Sequence, residues 1–134
     1  MLLQTLAPHA DRFFGWCVLP NHYHVILHTP ALEPLLHTLA LFHGRTSYCW
    51  NAEEDSRGRQ VWCRCSDRAM RSYAHLMATI NYVHHNPVKH GYVERWQDWA
   101  WSSSQEYLAG LGLEQARRNW VTYPIMDYGA GWDD

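Results

Sequence analysis

Two histidines separated by one residue, His22 and His24, have the types and spacing of a metal-binding pair. Residues 22–29 are rich in aromatic and branched side chains, which predicts a β-strand. Side chains two positions apart in a strand point to the same face, so both imidazoles can reach one metal ion. His28 would share that face but lie further along. The pair alone is a weak signal, because a chain with ten histidines aligns some pairs by chance.

A second set of reactive side chains lies on a predicted helix. Ser72 is a suitable N-cap, and Pro87 disfavours helical backbone in the residue before it, so we expect the helix to end at about Asn86. At about 100° per residue, Tyr82 and Asn86 share a polar face. A different sector, about 100° away, holds the side chains that we expect to be buried: Tyr73, Leu76, Ile80 and Val83.

A phenol and a carboxamide opposite a histidine pair suit the transfer of a phosphodiester. The phenolate of Tyr82 would attack phosphorus, while a divalent ion polarises a non-bridging oxygen. Mg²⁺ or Mn²⁺ fits such a site, although two imidazole ligands shift the preference toward softer ions. A metal hydrolase that uses water as nucleophile is an alternative, and it would keep its activity in a Tyr82→Phe variant.

The composition indicates one globular domain. The chain has 134 residues, 47% of them hydrophobic, which is enough for a single packed core over residues 1–134. No apolar run is long enough to span a membrane and no signal peptide is evident, so we expect a cytoplasmic protein with no membrane partner. The four cysteines are expected to be reduced thiols. A zinc site at Cys63 and Cys65 is a weak alternative, because two further ligands are not evident.

Basic residues are concentrated in the middle of the sequence. The net charge of the chain is −2, but residues 56–95 contain seven basic and two acidic residues, a local charge of +5. A basic stripe on a nearly neutral protein favours an anionic ligand held in one groove. For residues 57–59 alone, a solvated charged loop is an equal alternative.

The remaining pattern predicts an α+β fold. Residues 13–19 and 22–29 form a strand, turn and strand, residues 33–50 a helix, and residues 60–65 a further strand. Residues 119–134 are expected to be an irregular tail. Strands and helices mixed in this way indicate helices packed on a mostly antiparallel sheet.

Several separated motifs resemble the REP-associated tyrosine transposases, which belong to the single-tyrosine HUH transposases of the insertion-sequence-200-like group. The resemblance covers nearly the whole chain from Gly15 onward. The motifs that carry it, in order, are VLPNHYHV at 18–25, VW at 61–62, DR at 67–68, NYVHHNPVKHG at 81–91, WAWSS at 99–103 and YGAGWD at 128–133.

The resemblance implies a ferredoxin-like or RRM-like fold that nicks and rejoins single-stranded DNA near a hairpin or palindrome, as in DNA transposition. Tyr82 matches the nucleophile, which forms a 5′-phosphotyrosine and releases a 3′-hydroxyl without any nucleotide cofactor. Three residues match the ligands of Mg²⁺ or Mn²⁺: His22, His24 and Asn86. The candidate DNA-backbone contacts are Arg64, Arg68, Arg71 and Lys89. The family implies a bacterial, nucleoid-associated protein, and it leaves both a monomer and a homodimer open.

One feature departs from the family. Its members have a strand before the helix that precedes the histidine hairpin, and this sequence begins after that point, so we expect an N-terminally truncated domain without the first strand. A misplaced start, a decayed copy and a partner chain that fills the gap are three explanations. A non-catalytic relative that binds hairpin DNA is therefore the main alternative to an enzyme.

Overall fold

The computed structural model describes residues 1–132, which form helices and a two-stranded sheet. This confirms the predicted α+β class, and within these residues the expected antiparallel sheet consists of two strands. The described chain forms two compact units, the first made of Met1–Arg12 and His28–Arg68, the second of Phe13–Leu27 and the chain from Ala69 onward. One domain over residues 1–134 stays a prediction.

The first unit contains two helices. Helix α1 spans Leu2–Leu6 and passes into a 3₁₀ turn at Ala7–His9, as expected from a proline at position 8. Helix α2, Leu32–Glu53, includes the predicted helix at 33–50 and extends beyond it. Oγ1 of Thr38 on α2 lies 2.8 Å from the His9 Nε2 atom, which fastens the start of the chain to this helix. No helix among residues 1–132 is long and apolar enough to cross a membrane.

The predicted strand at 60–65 is wrong, because these residues form neither strand nor helix. Trp62 holds the segment instead. Its indole Nε1 donates a hydrogen bond of 2.8 Å to Oγ1 of Thr46 on α2, and its ring stacks on His43 with centroids 4.4 Å apart. The strand was expected because the short segment contains Val61 and Trp62. In the structure Trp62 anchors the segment through its side chain, without backbone pairing in a strand.

The predicted strand, turn and strand are confirmed. Strand β1 spans Arg12–Val18 and β2 spans Tyr23–His28. The backbone N–H of Leu19 donates to the carbonyl of His22 over 2.8 Å, which closes a tight turn. Two consecutive strands joined by so short a turn must be antiparallel. The turn fixes the position of His22 at the end of the hairpin.

Helix α3, Tyr73–Lys89, begins as predicted but ends later. The hydroxyl of Ser72 accepts a hydrogen bond of 3.0 Å from the His75 backbone N–H, which confirms the N-cap. The predicted end at Asn86 is wrong, since the helix continues through Pro87. A proline in the last turn removes one backbone hydrogen bond, and this proline is buried. The chain leaves the helix at Gly91, whose φ of +74° is left-handed.

The second unit is built around α3. A 3₁₀ turn at Trp96–Asp98, helix α4 at Ser104–Leu111 and helix α5 at Leu113–Thr122 follow it. The predicted irregular tail at 119–134 therefore begins after Thr122 and not at 119, and its positions 133 and 134 lie outside the described residues. The core joins the hairpin to α3 through Cys17, Leu19, Ile26, Met77, Ile80, Tyr82 and Val83.

Candidate active site

The two histidines of the hairpin lie side by side. His22 immediately precedes β2 and His24 is its second residue. Their ring centroids are 5.2 Å apart, with the rings edge to face. Both side chains are half-buried. The hairpin therefore presents two imidazoles to one small space, as the alternation of side chains in a strand led us to expect.

Asn86 of α3 lies against the first of these histidines. Its Oδ1 atom is 3.0 Å from Nε2 of His22, and the other ring nitrogen of His22 is 2.7 Å from Oδ1 of Asn21. Asn86 is fully buried. Neighbours on both ring nitrogens fix the orientation of the imidazole, because rotating the ring would break both contacts.

Tyr82 packs beside the second histidine. Its ring centroid is 5.5 Å from that of His24. The ammonium of Lys89, the only lysine in the chain, donates to the phenolic oxygen over 3.5 Å and lies 5.3 Å from the ring centroid. A cation at this position stabilises negative charge on the phenolic oxygen. The candidate nucleophile and both candidate histidine ligands thus lie in one neighbourhood.

The prediction that Tyr82 lies on a polar face, apart from the buried stripe, is wrong. Tyr82 is 2% exposed and belongs to the core, whereas Tyr73, assigned to the stripe, is 67% exposed. The helical periodicity assumed that α3 buries one side only. In the structure the hairpin, α5 and the segment after it all pack around the helix, so its second half is buried nearly all round.

The segment Tyr128–Trp132 covers the phenol ring. Its two aromatic rings have centroids 5.9 and 5.3 Å from that of Tyr82. Between them, a Cβ atom at Gly129 would lie 2.4 Å from Cε2 of Tyr82, closer than real contacts allow, and φ of Gly129 is +78°. The hydroxyl of Tyr128 lies 2.6 Å from Oγ1 of Thr79. This covering segment contributes to the burial of Tyr82, which is 2% exposed.

The donor atoms are compatible with a divalent ion. Nε2 of His22 and Oδ1 of Asn86 are 3.0 Å apart, which is about the separation of neighbouring ligands at about 2.1 Å from an octahedral ion. Within residues 1–132 no group of three His, Cys, Asp or Glu side chains could hold a metal. Two imidazoles and an amide oxygen are neutral ligands, so an ion held by them would keep its full charge for a substrate phosphate.

The predicted basic contacts are divided between the two units. Lys89 lies at the site. Arg64 and Arg68 belong to the first unit and are exposed on the segment without regular structure. Arg71 is exposed in the second unit, just before the N-cap of α3. Within the second unit, Lys89 contacts Tyr82 and Arg71 lies at the start of α3.

Sequence reasoning missed His90. Its ring centroid lies 5.0 Å from that of His22, with the two rings edge to face. His90 follows Asn86 by four positions, so extending the polar face of the helix by one turn would have included it. Pro87 concealed this signal, because we expected the helix to end before it.

Two further histidines of α3 are uncharged at neutral pH. Burial, and to a smaller extent the neighbouring His85, lowers the pKa of His84 to about 3. Burial also lowers the pKa of His85 to about 4, although its hydrogen bond to the Asn81 carbonyl acts in the opposite direction. Near neutral pH, His84 and His85 therefore add no positive charge to α3.

Comparison with known proteins supports the resemblance carried by the motifs. A curated protein of Haemophilus influenzae with the provisional name REP-associated tyrosine transposase is 28% identical in an alignment of 111 residues that covers 75% of this chain. The chain is a distant relative of that protein. The match covers 62% of the relative's length. No family model and no solved structure matches the chain.

Proposed function

We propose that this chain is an HUH-type tyrosine transposase, a metal-dependent enzyme that nicks single-stranded DNA and transfers the cut strand. The main support for the proposal is that the hairpin and α3 bring the candidate ligands and the candidate nucleophile into contact. His22 contacts Asn86, and His24 packs against Tyr82, one helical turn earlier on α3. The name of the relative supports the same class of reaction.

The proposed chemistry exchanges one phosphodiester for another. The phenolic oxygen of Tyr82 attacks the phosphorus, the bond from phosphorus to the 3′ oxygen breaks, and a 5′-phosphotyrosine forms. The phenol loses its proton and the leaving 3′ oxygen gains one, so the protons balance. Lys89 stabilises the negative charge of the attacking oxygen. Because the new ester conserves the energy of the old bond, a 3′-hydroxyl can reverse the step without a nucleotide cofactor.

The ligands of the divalent ion, Mg²⁺ or Mn²⁺, are proposed to be His22, His24 and Asn86. When bound, the ion would polarise a non-bridging phosphate oxygen and stabilise the charge that develops on the leaving group. The Asn21 contact orients the ring of His22, so that the same nitrogen always faces the ion.

The proposed substrate is single-stranded DNA beside a hairpin or palindrome, handled in DNA transposition. The charge of +5 over residues 56–95 supports an anionic polymer. Lys89 lies where it can meet the scissile phosphate. Arg64, Arg68 and Arg71 are exposed, and we propose them as candidates for contacts to the DNA backbone.

A specific observation favours a second candidate function, that of a DNA-binding relative that no longer cuts. Tyr82 is 2% exposed beneath Tyr128–Trp132, and Tyr128 also hydrogen-bonds to His75 over 2.9 Å. If this segment never leaves the phenol, DNA can bind at the basic residues without reaching the nucleophile. The two functions differ in one product, a covalent complex between protein and DNA.

The test uses a 5′-labelled and a 3′-labelled DNA hairpin with single-stranded flanks, incubated with the protein and Mn²⁺ or Mg²⁺. The proposal predicts a covalent adduct that survives denaturation and is lost in Tyr82→Phe. Tyr92→Phe is the matched control, because Tyr92 is 43% exposed and has no role in the proposed chemistry. Binding without an adduct, in folded protein, supports the second candidate. An adduct that persists in Tyr82→Phe contradicts both.

A further inference from the structure

A cavity of about 500 Å³ lies beside α3, away from the phenol of Tyr82, bounded also by α4, α5 and the 3₁₀ turn at Trp96–Asp98. Nothing in the proposed chemistry uses it. Its volume is within the range of small-ligand sites. Side chains that line it are His84, His85, Trp96, Tyr107, Arg117 and Trp120.

Flat rings in near-parallel planes form much of the wall. The rings of His85 and Trp120 stack with centroids 3.7 Å apart and planes inclined by 25°. Trp96 lies 5.1 Å from His85 at 31° and 5.8 Å from His84 at 15°. A wall of this kind favours a planar aromatic ligand, which can contact the remaining ring faces and edges in offset-stacked or edge-to-face arrangements.

Two imidazole nitrogens in this wall lack hydrogen bonds within the described residues. Nδ1 of His85 donates to the Asn81 carbonyl over 2.9 Å, so its Nε2 is left as an acceptor. His84 is 1% exposed, and its Nε2 lies 2.8 Å from the hydroxyl of Ser103, whereas its Nδ1 is buried without a partner. The Nδ1 atom of His84 has too little accessible surface to meet a ligand in the cavity, whereas Nε2 of His85 is an available acceptor. That acceptor points to a ligand that is both planar and polar.

A cation stands at the edge of the cavity. Arg117 is exposed and makes no ion pair among residues 1–132, whereas its neighbour Arg118 pairs with Glu114 four residues earlier. An unpaired guanidinium beside an aromatic wall suits a ligand that carries a phosphate next to its ring.

The cavity and the candidate active site share one helix. Asn81, His84 and His85 face the cavity, while Tyr82 and Asn86 face the hairpin. An α-helix with its side chains is about 10–12 Å across. A DNA strand with a phosphate at Tyr82 can therefore reach the cavity within a few nucleotides.

We propose that this cavity binds one unpaired nucleobase of the DNA strand, stacked against Trp120 and His85, with Arg117 on an adjacent phosphate. The proposal rests on the proposed function, because it takes DNA as the ligand. The cavity would be a second DNA-binding position besides the site at Tyr82. Binding at both positions fixes the number of nucleotides between the bound base and the phosphate that is cut.

The test compares two fluorescein-labelled hairpins by anisotropy, one with a mixed-sequence single-stranded tail and one whose tail is abasic throughout. Wild-type protein is expected to bind the base-bearing tail about tenfold more tightly. Trp120→Leu, which keeps apolar volume but removes the indole, should lose most of this preference. Trp101→Leu is the matched control, since Trp101 is 68% exposed and does not line the cavity.

A second pair of variants tests the phosphate contact without touching the wall. Arg117→Gln should weaken binding of both tails to a similar extent, and Arg118→Gln should not. Equal binding of the two tails by wild type overturns the base pocket, as does a preference that Trp120→Leu retains. If either of these results occurs while wild-type protein still forms the DNA adduct at Tyr82, the base pocket is overturned and the proposed function stands. Folded protein that binds neither hairpin overturns the proposed function as well.

Discussion

Nε2 of His22 and the side-chain oxygen of Asn86 lie 3.0 Å apart, and this contact joins the turn of the hairpin to the last turns of α3. The two residues are 64 positions apart in sequence. Asn86 is completely buried, so the contact is fixed by the packing of α3 and not by a mobile surface side chain. Any ion held between strand and helix depends on this pair.

Removing the amide of Asn86 should weaken metal binding. In Asn86→Ala we expect the affinity for Mn²⁺ to fall by at least about tenfold, because one of three ligand groups is lost. Asn86→Asp should restore or exceed the wild-type affinity, since a carboxylate is a stronger ligand for a hard ion. The measurement is a titration with Mn²⁺ followed by electron paramagnetic resonance. Equal affinity in wild type and Asn86→Ala would remove Asn86 from the site.

A methyl group at Gly129 should uncover Tyr82. In Gly129→Ala the new Cβ would lie 2.4 Å from Cε2 of the phenol, so the covering segment must shift. We expect faster nitration of Tyr82 by tetranitromethane, measured by peptide mass spectrometry, and faster formation of the DNA adduct. The backbone strain alone costs about 1–2 kcal/mol.

The control for that strain is Gly58→Ala. Gly58 has a φ of +88°, but its Cβ would meet no heavy atom within 4 Å. Nitration of Tyr82 should therefore be unchanged in this variant. If Gly58→Ala and Gly129→Ala behave alike, or if neither exposes Tyr82, the covering segment does not limit access.

The charge of Lys89 should matter more than its length. Lys89→Gln removes the cation 3.5 Å from the phenolic oxygen, so we expect adduct formation to slow by at least about tenfold. Lys89→Arg, which keeps the positive charge, should retain more of the rate than Lys89→Gln. Adduct yield against time under single-turnover conditions gives the rates. A Lys89→Gln variant that reacts at the wild-type rate would assign the lysine a role in packing alone.

Burial of His84 should make the protein less stable in mild acid. Its pKa falls from 6.5 in the unfolded chain to about 3 in the folded one. Between pH 6.5 and pH 3 the unfolded chain binds a proton at His84 that the folded chain does not bind. The free energy of unfolding is therefore not reduced by His84 above pH 6.5, and it decreases as the pH falls toward 3. At about pH 4.5 the loss from His84 is about 3 kcal/mol.

Urea unfolding at a series of pH values measures this loss. His84→Gln keeps a polar group for Ser103 but does not titrate, so its free energy of unfolding should vary less with pH than that of wild type. His37→Gln is the control, since His37 is exposed on α2. If wild type and His84→Gln show the same pH dependence, His84 does not carry the effect.

Local signals in the sequence predicted the elements that position the site, because those elements depend on neighbouring residues. The hairpin around His22 and the cap at Ser72 follow from turn and capping preferences. The continuation of α3 through Pro87 does not follow from such local preferences, since packing of the second unit outweighs the one hydrogen bond that is lost. The strand expected at 60–65 failed for a similar reason, as Trp62 anchors the segment through its side chain.

The burial of Tyr82 was beyond the reach of helical periodicity. Periodicity assigns one buried face to a helix, and it gives no weight to a segment 46 residues later that folds over another face. Gly129 is the residue that permits this close approach, because any side chain there would collide with the phenol. A glycine between two aromatic residues near the end of the chain is a weak signal without the structure.

Locating the covalent bond between protein and DNA shows whether Tyr82 is the nucleophile. Wild-type protein is incubated with a DNA hairpin and Mn²⁺, digested with protease and nuclease, and the peptides are examined by tandem mass spectrometry. We expect a nucleotide linked through its 5′-phosphate to Tyr82, and a released strand whose 3′-hydroxyl can be extended by a polymerase. A nucleotide attached to any other residue would contradict the assignment of Tyr82 as the nucleophile. DNA cleaved directly by water, with no covalent intermediate, would also contradict it.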